Sequence, residues 1–224
     1  MVPRTPAREP LAGLATVIKL LTGRPATPEE KKQFSQYLDL LIVWNRAQRL
    51  TGVLSPAAIV EDLFQDSLLF LSRLPPGRLV MADIGAGAGI PGVPLAIVRP
   101  DISLTLIESK RKRVSFLAAL KRELGVSNVE ILEGRAEDLI TRSPELYEKF
   151  DVVVSRAVGP IHDLLPTVMA YLTVGGLFMG AGPPSTPKTQ LQAMAALGVR
   201  CEVIRFSEVG LTRTFLLAHK GGVA

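Results

Sequence analysis

The chain has 224 residues, 47% of them hydrophobic, and a formal net charge of +5. These values predict one large domain, or one domain with a small appendage, and the mild positive charge favours an acidic partner. The single cysteine excludes an internal disulfide and, with only two histidines, no metal site is expected. Because no apolar run reaches membrane-spanning length and no signal peptide is visible, a cytoplasmic protein is expected.

The first third of the chain is predicted to be helical. After a flexible tail at residues 1–10, a short helix is expected at Leu11–Thr22. A second helix begins with the residue order of a capping box, in which Thr27 is the N-cap, proline follows, and Glu30 lies three residues further on. Apolar residues then recur at helical spacing as far as Trp44.

A third helix leads to the predicted domain boundary. Ser55-Pro56 restarts the helical pattern, which ends before Pro75-Pro76-Gly77. We therefore expect residues 1–76 to form a tail and helical extension, and residues 77–224 to form a separate domain.

From residue 77 onwards, strand patterns alternate with helix patterns, which is typical of a parallel sheet covered on both faces. Strands are predicted at Leu79–Ile84, Ser103–Glu108, Val129–Leu132, Asp151–Ser155 and Leu177–Gly180. Helices are predicted after the first strand and at Lys110–Leu124, Glu137–Arg142, Ile161–Leu172 and Thr189–Leu197, the last following a loop at Ala181–Lys188. Two closing strands, Cys201–Phe206 and Thr214–Ala218, have no helix between them, which suggests one antiparallel strand at an edge of the sheet.

A glycine-rich turn follows the first of these strands. Three glycines alternate with other residues after Ile84, at Gly85, Gly87 and Gly89, and Pro91-Gly92 comes next. Glycine permits positive φ and close approach of the backbone to a ligand, and the N–H groups of the next helix face the turn. A small molecule with an adenosine-like body is the expected ligand.

The glycines can be read in two registers. A dinucleotide fingerprint can be placed on Gly87, Gly89 and Gly92, with Glu108 as the ribose acid, but it leaves Gly85 inside the strand and includes Pro91, which has no N–H. The favoured register is Asp83-x-Gly85-x-Gly87-x-Gly89, in which the strand ends at Ile84 with the acid at its tip. This register resembles motif I of class I S-adenosylmethionine (AdoMet) methyltransferases. It implies an α/β, Rossmann-like, seven-stranded and mostly parallel sheet with an N-terminal helical extension, and AdoMet as cofactor.

Ligands of such sheets bind beyond the carboxyl ends of the strands, so the strand tips supply the candidate site residues. Glu108 could accept both ribose hydroxyls, or could be a solvated loop acid. Ala136 and Glu137 could meet the adenine edge, or could simply start a helix. Arg156 could pair bidentately with a carboxylate, or could be a structural, salt-bridged arginine.

Four separated motifs, taken together, resemble the small-subunit rRNA methyltransferase G family, also called glucose-inhibited division protein B. They are Asp83 to Gly92, Ile107-Glu108-Ser109, Gly134 to Glu137, and Ser155-Arg156-Ala157. The helical leader is similar too, at Tyr37 to Leu41, Trp44-Asn45, Leu50-Thr51 and Asp66-Ser67-Leu68. The resemblance implies AdoMet-dependent methylation of guanine N7 in a loop of 16S rRNA, with the rRNA or the small ribosomal subunit as partner. It also implies ligand contacts at Gly85, Ile90, Ala136, Glu137 and Arg156.

The chain departs from the usual family pattern at three places. Arg49-Leu50-Thr51 replaces Asn-Leu-Thr, Leu63 replaces a histidine, and no lysine follows Gly175-Gly176. These positions lie in the leader and near the fifth strand, regions expected to face the substrate.

Methylation at guanine N7 requires no general base, because N7 has a lone pair and no proton. Positioning is therefore the expected mechanism, with Arg156 the nearest candidate for a catalytic residue. The RNA-binding candidates are basic residues: Arg46, Arg49, Lys110, Arg111, Lys112, Arg113 and Lys188. Residues 110–113 could instead be the solvated first turn of a helix. The aromatic residues Trp44, Tyr37 and Phe64 could stack on bases but are expected in the core of the leader.

Other functions stay open on the sequence alone. They are a small-molecule AdoMet methyltransferase on the same fold, a nicotinamide-dependent oxidoreductase, and an RNA-binding protein that binds AdoMet without transferring its methyl group. A monomer is expected.

Overall fold

A computed structural model describes residues 10–156, 161–181, 200–206 and 210–221. Three features predicted from the sequence lie outside these residues: nearly all of the N-terminal tail, the loop at residues 182–188 with Lys188, and the helix Thr189–Leu197. None of the helices in the described ranges is long and apolar enough to cross a membrane.

The chain begins with two α-helices, α1 at Pro10–Thr22 and α2 at Pro28–Gln48. The capping box predicted for α2 is confirmed, because the Thr27 hydroxyl accepts from the Glu30 N–H while the Glu30 carboxylate accepts from the Thr27 N–H. The helix ends at Arg49, which has φ 50° and donates its N–H to the Asn45 carbonyl.

The third helical segment is not the uniform α-helix that the sequence predicts. It consists of α3 at Pro56–Ala58, a π-helical stretch at Ile59–Gln65, α4 at Asp66–Leu68 and a 3₁₀ turn at Leu69–Ser72. The sequence does not reveal the π turns because buried residues spaced four apart fit an α-helix and the wider π-helix about equally well.

The sheet carries its strands in the order β3-β2-β1-β4-β5-β7-β6 across the described residues. The strands are β1 Leu79–Ile84, β2 Ile102–Glu108, β3 Val129–Glu133, β4 Phe150–Ser155, β5 Leu172–Ala181, β6 Arg200–Phe206 and β7 Leu211–His219. Strands β1 to β5 pair in parallel, and the helices between them are α5 Gly92–Val98, α6 Arg111–Leu124, α7 Ala136–Arg142 and α8 Ile161–Tyr171. A 3₁₀ turn at Pro144–Leu146 follows α7.

The sequence suggested an antiparallel strand at the edge of the sheet, but the antiparallel strand lies inside the sheet. It is β7, which lies between β5 and β6 and pairs antiparallel with both. Insertion gives β7 a hydrogen-bonding partner on each side and buries Phe215, Leu216 and Leu217, whereas an edge position would leave one side unpaired.

One face of the sheet packs against the helical extension in a single hydrophobic core. Tyr37 and Phe64 are fully buried there with ring centroids 4.7 Å apart, and Trp44 is partly buried with its ring 5.7 Å from that of Phe116. The prediction that these leader aromatics belong to the core is confirmed. A second cluster, which includes Val153 and Phe178, covers the other face of the sheet.

Candidate active site

The glycine turn has the geometry that motif I predicts. Strand β1 ends at Ile84, and Gly85, Gly87 and Gly89 have φ values of 74°, 57° and 86°, a region that residues with a side chain rarely adopt. The N–H groups of Gly85 and Ala86 both donate to the Ile107 carbonyl, at 2.9 and 3.1 Å. Because Gly85 belongs to the turn and not to the strand, this geometry contradicts the dinucleotide register.

Helix α2 contacts and supports the glycine turn. The Tyr37 hydroxyl donates to the Ala88 carbonyl. A Cβ at Gly89 would lie 2.8 Å from the Tyr37 hydroxyl and 2.9 Å from Val93, so a larger residue would displace the helix or the turn. This contact was missed at the sequence level, where Tyr37 was expected only to fill the core.

Asp83 also lies beneath the turn and does not line the cavity described below. Its carboxylate is fully buried, and one oxygen accepts from the Gly92 N–H at 2.8 Å. The other oxygen has no hydrogen-bond partner among the described residues. Burial, reinforced by the nearby charge of Glu108, raises the pKa of Asp83 to about 7. Asp83 therefore supports the turn, and direct ligand contact by its side chain stays a prediction.

A cavity of about 430 Å³ opens above the turn, at the carboxyl ends of β1, β2 and β4. Its lining comes from the turn, from the end of β2 and the segments that follow β2 and β4, and from the helical extension. The lining residues are Leu50, Thr51, Val53, Leu63, Gly85, Ala86, Gly87, Ala88, Ile90, Glu108, Ser109, Lys110, Arg113 and Arg156. The cavity thus contains five of the predicted cofactor-binding residues and two of the predicted RNA-binding residues.

Glu108 is a buried acid with its carboxylate fixed on both sides. One oxygen accepts from the Gly87 N–H at 2.9 Å and the other accepts from the Lys110 N–H at 2.8 Å. The Arg113 guanidinium lies 3.5 Å from the first oxygen. Since the side chain is only 3% exposed, Glu108 is not a solvated loop acid.

Arg156 follows β4 directly and reaches the cavity from the side opposite Glu108 in the sheet order. Its Nη1 lies 3.0 Å from an Asp66 carboxylate oxygen of the helical extension. The sequence analysis named Asp66 only as part of the family resemblance and predicted no role for it. Arg156 is therefore salt-bridged, as one interpretation expected, and it also lines the cavity; its pairing with a ligand carboxylate stays a prediction.

The remaining cofactor-binding candidates lie outside the cavity lining. Gly89 is the buried glycine of the turn and lies against Tyr37 and Val93. Ala136 starts α7, where its carbonyl accepts from the Tyr171 hydroxyl at 2.8 Å, and Glu137 is exposed with an oxygen 3.6 Å from Arg135. Contacts of Ala136 and Glu137 with an adenine ring stay predictions.

The RNA-binding candidates are divided between the cavity and the surface around it. Lys110 and Arg113 line the cavity, whereas Arg111 and Lys112 are exposed in the first turn of α6. Arg46 and Arg49 are exposed at the end of α2, and Lys188 is outside the described residues.

The helical extension forms one wall of the cavity. The sequence analysis predicted only that this part of the chain faces the substrate. Leu50, Thr51 and Val53 are held there by Asn45, whose amide donates to the Val53 carbonyl at 3.1 Å and accepts from the Thr51 N–H at 2.9 Å. The departures from the family pattern around Leu50 and at Leu63 were the sequence evidence for this wall. Within the ranges that the structure describes, no group of three or more His, Cys, Asp or Glu side chains could hold a metal ion.

Two solved structures with a similar fold are methyltransferases by their titles. A predicted O-methyltransferase from Agrobacterium tumefaciens aligns with a TM-score of 0.56 and 22% identity over 70% of this chain and 81% of that one. A putative S-adenosyl-L-methionine-dependent methyltransferase from Methanococcus maripaludis aligns with a TM-score of 0.57 and 14% identity over 74% of this chain and 90% of that one. The fold is therefore that of the Rossmann-like, class I AdoMet-dependent methyltransferases, as predicted.

Sequence comparison identifies the family within this class. Residues 30–196 match the family model described as rRNA small subunit methyltransferase G. Proteins named ribosomal RNA small subunit methyltransferase G are 36% identical in Clostridium novyi, over 79% of this chain and 74% of that protein, and 36% identical in Desulfitobacterium hafniense, over 86% and 82%. The chain belongs to the rRNA small subunit methyltransferase G family, which confirms the resemblance inferred from the motifs.

Proposed function

We propose that the protein transfers a methyl group from AdoMet to N7 of a guanine in a loop of 16S rRNA. The observation that carries this proposal is the cavity above the glycine turn, with Glu108 at the tip of β2 and Arg156 at the tip of β4, in a member of this methyltransferase family. The cavity lies where open parallel sheets bind nucleotides, beyond the carboxyl ends of the strands.

The residues around the cavity fit the parts of AdoMet. Each Glu108 oxygen already accepts one backbone N–H, and an ionised carboxylate has about four acceptor positions, so both oxygens can still accept a ribose hydroxyl. Arg156 has a planar set of N–H donors that suits the carboxylate of the amino-acid end. The turn between them presents backbone without side chains at Gly85 and Gly87, and only methyl side chains at Ala86 and Ala88.

The protein's part in the reaction is positioning. Bound AdoMet supplies a methyl group on a positively charged sulfur, and the guanine N7 lone pair is its acceptor. Glu108 would fix the ribose of the cofactor and Arg156 its amino-acid end. Leu50, Val53 and Leu63 would limit the space through which a base approaches. No residue needs to remove a proton from N7, so we assign no general base.

The basic residues at the mouth of the cavity support an RNA substrate. Lys110 and Arg113 line the cavity, and Arg111 and Lys112 are exposed beside them. Such residues bind phosphates and thereby position an RNA without reading its sequence. We propose that a monomer acts on 16S rRNA, free or within the small ribosomal subunit, and therefore in the cytoplasm.

A labelling experiment tests the proposal. The protein is incubated with labelled AdoMet and 16S rRNA lacking its modifications, either free or in small subunits, and the digested RNA is analysed by mass spectrometry. We expect label in 7-methylguanosine from one site. Label in another base, or turnover that continues without RNA when a metabolite is added, would contradict the proposal.

A further inference from the structure

The Arg156–Asp66 ion pair joins the cavity to the helical extension. Arg156 Nη1 and the Asp66 carboxylate oxygen are 3.0 Å apart, with side-chain exposures of 24% and 15%. Arg156 lines the cavity but Asp66 does not, so the acid contacts the guanidinium from outside the ligand space. The pair is well shielded from solvent, and an interaction there is stronger than a surface ion pair.

The main chain that carries Arg156 is fixed to the centre of the sheet. The preceding residue, Ser155, is buried at the end of β4 and its hydroxyl donates to the Ile84 carbonyl at 3.0 Å. Ile84 is the last residue of β1 before the glycine turn. The base of the Arg156 side chain is therefore held close to the turn, but its long stem keeps several rotatable bonds.

Asp66 lies on a rigid support. Its N–H bonds to the carbonyls of Glu61 and Leu63 at the junction of the π-helical stretch with α4. The next residue, Ser67, is buried and its hydroxyl donates to the Leu63 carbonyl, and Leu68 is fully buried in the core. Asp66 is therefore a fixed point against which a mobile guanidinium can be oriented.

We propose that Asp66 is a positioning residue that orients the Arg156 guanidinium to receive the carboxylate of the methyl donor. This inference rests on the proposed function, because it takes AdoMet as the ligand of the cavity. An arginine side chain loses considerable rotamer freedom when it is fixed, and an ion pair already made in the free protein removes part of that loss from ligand binding. Nη1 of the guanidinium pairs with Asp66, and among the described residues no acceptor bonds the other N–H groups, which can therefore donate to the ligand.

Asp66→Asn tests this role, because it removes the charge and retains the side-chain volume. Two ligands are compared by calorimetry: S-adenosylhomocysteine, and its decarboxylated analogue, which lacks only the carboxylate. We expect the variant to bind S-adenosylhomocysteine about tenfold more weakly, because a guanidinium that the ion pair no longer orients makes a weaker charge-assisted contact with the ligand carboxylate. It should bind the decarboxylated analogue as the wild type does. The matched control is Asp62→Asn, the same change at an exposed acid of the π-helical stretch, which should alter neither affinity.

A double-mutant cycle completes the test. In the Arg156→Ala background, Asp66→Asn should have no further effect on the difference in affinity between the two ligands, since the effect of the acid on the ligand carboxylate passes through the arginine. If Asp66→Asn prevents folding, Asp66→Glu takes its place, because it keeps the charge but moves it by one methylene group, and the same difference between the two ligands is expected.

Three results would overturn the inference: equal weakening of both ligands, which indicates a structural role only; tighter binding of S-adenosylhomocysteine, which indicates that Asp66 competes with the ligand for Arg156; or no change with either ligand. These results all presuppose that the wild type binds S-adenosylhomocysteine. Failure of the wild type to bind it would instead overturn the proposed function.

Discussion

Glu108 has one acceptor oxygen for each of two backbone N–H groups, one from the glycine turn and one from the residue before α6. The carboxylate thus fixes the distance between Gly87 and Lys110 before any ligand enters. A residue in this position serves both the shape of the turn and the proposed contact with ribose. Its replacement should therefore change both stability and ligand affinity.

We expect Glu108→Gln to weaken S-adenosylhomocysteine binding at least about tenfold and to lower the free energy of unfolding by about 1–3 kcal/mol. The amide keeps only one acceptor oxygen, so one of the two N–H groups loses its partner and faces an NH₂ group. Calorimetry and urea denaturation measure the two effects. Glu133→Gln, at an exposed acid that ends β3, is the control. Equal behaviour of the two variants would show that Glu108 has no special role.

Asp83 makes the stability of the folded protein depend on pH, and the sign of this dependence follows from its pKa shift. Its pKa is raised from 3.8 to about 7, so the folded protein holds this proton more tightly than the unfolded chain does. The stability contribution of the protonated group is fully present below about pH 4 and is lost as the pH rises towards 7. The loss has a limiting slope of about 1.4 kcal/mol per pH unit.

Asp83→Asn should therefore become more stable relative to the wild type as the pH rises from 5 to 8. The asparagine keeps an oxygen for the Gly92 N–H and carries no charge to bury. Urea denaturation at several pH values measures the difference. The control is Asp101→Asn, because its hydrogen bond to Arg99 lowers the pKa of Asp101, and that contribution changes only in more acidic solution. A pH-independent difference for Asp83→Asn would contradict the prediction.

At the scale of elements, the helical extension contacts the site at four points. Tyr37 of α2 reaches the glycine turn, and Asp66 contacts Arg156. The segment with Leu50, Thr51 and Val53, and separately Leu63, form part of the cavity wall. The extension is thus a component of the proposed cofactor site, and not only a cover for one face of the sheet.

Tyr37→Phe tests the first of these contacts. It removes only the hydroxyl, so the buried Ala88 carbonyl loses its donor while the packing of the ring on Phe64 is retained. We expect the free energy of unfolding to fall by about 1–3 kcal/mol, the cost of an unsatisfied buried acceptor, and S-adenosylhomocysteine to bind several-fold more weakly. Tyr147→Phe, at an exposed tyrosine, is the control. Unchanged affinity in Tyr37→Phe would show that the turn keeps its shape without the helix.

At the scale of the whole molecule, the two parts of the chain have different sequence patterns but share one hydrophobic core. We propose that residues 1–76 and 77–224 are two architectures, a helical extension and a methyltransferase domain. They are packed together by apolar residues and by polar contacts, such as those of Arg24 with the Val98 carbonyl and of Gln33 with the Leu124 carbonyl. The extension and Arg113 of α6 also line the same cavity.

The basic start of α6 should determine the salt dependence of RNA binding. In the double variant Arg111→Ala/Lys112→Ala we expect weaker binding of 16S rRNA fragments. The slope of log affinity against log salt should fall by about 1 for each phosphate that the variant no longer neutralises. S-adenosylhomocysteine affinity should stay unchanged. Lys121→Ala/Arg122→Ala removes the same charge at the other end of the helix and is the matched control. Equal slopes for the two variants would place the RNA elsewhere.

The sequence by itself determined the parts of this protein that depend on neighbouring residues. The capping box of α2, the end of β1 at Ile84, and the acid and arginine at the tips of β2 and β4 follow from short patterns, because backbone conformation and strand periodicity are local properties. The motif set was also sufficient to identify the family.

Only the tertiary structure decided which distant segments meet. The insertion of β7 between β5 and β6, the support of the turn by Tyr37, and the approach of Asp66 to Arg156 all join segments that are far apart in the chain. A one-dimensional pattern specifies which side of a helix or strand is apolar, but not which partner covers it. Packing of the whole core decides which elements meet, because the hydrophobic effect favours burial of an apolar surface without specifying the surface that covers it.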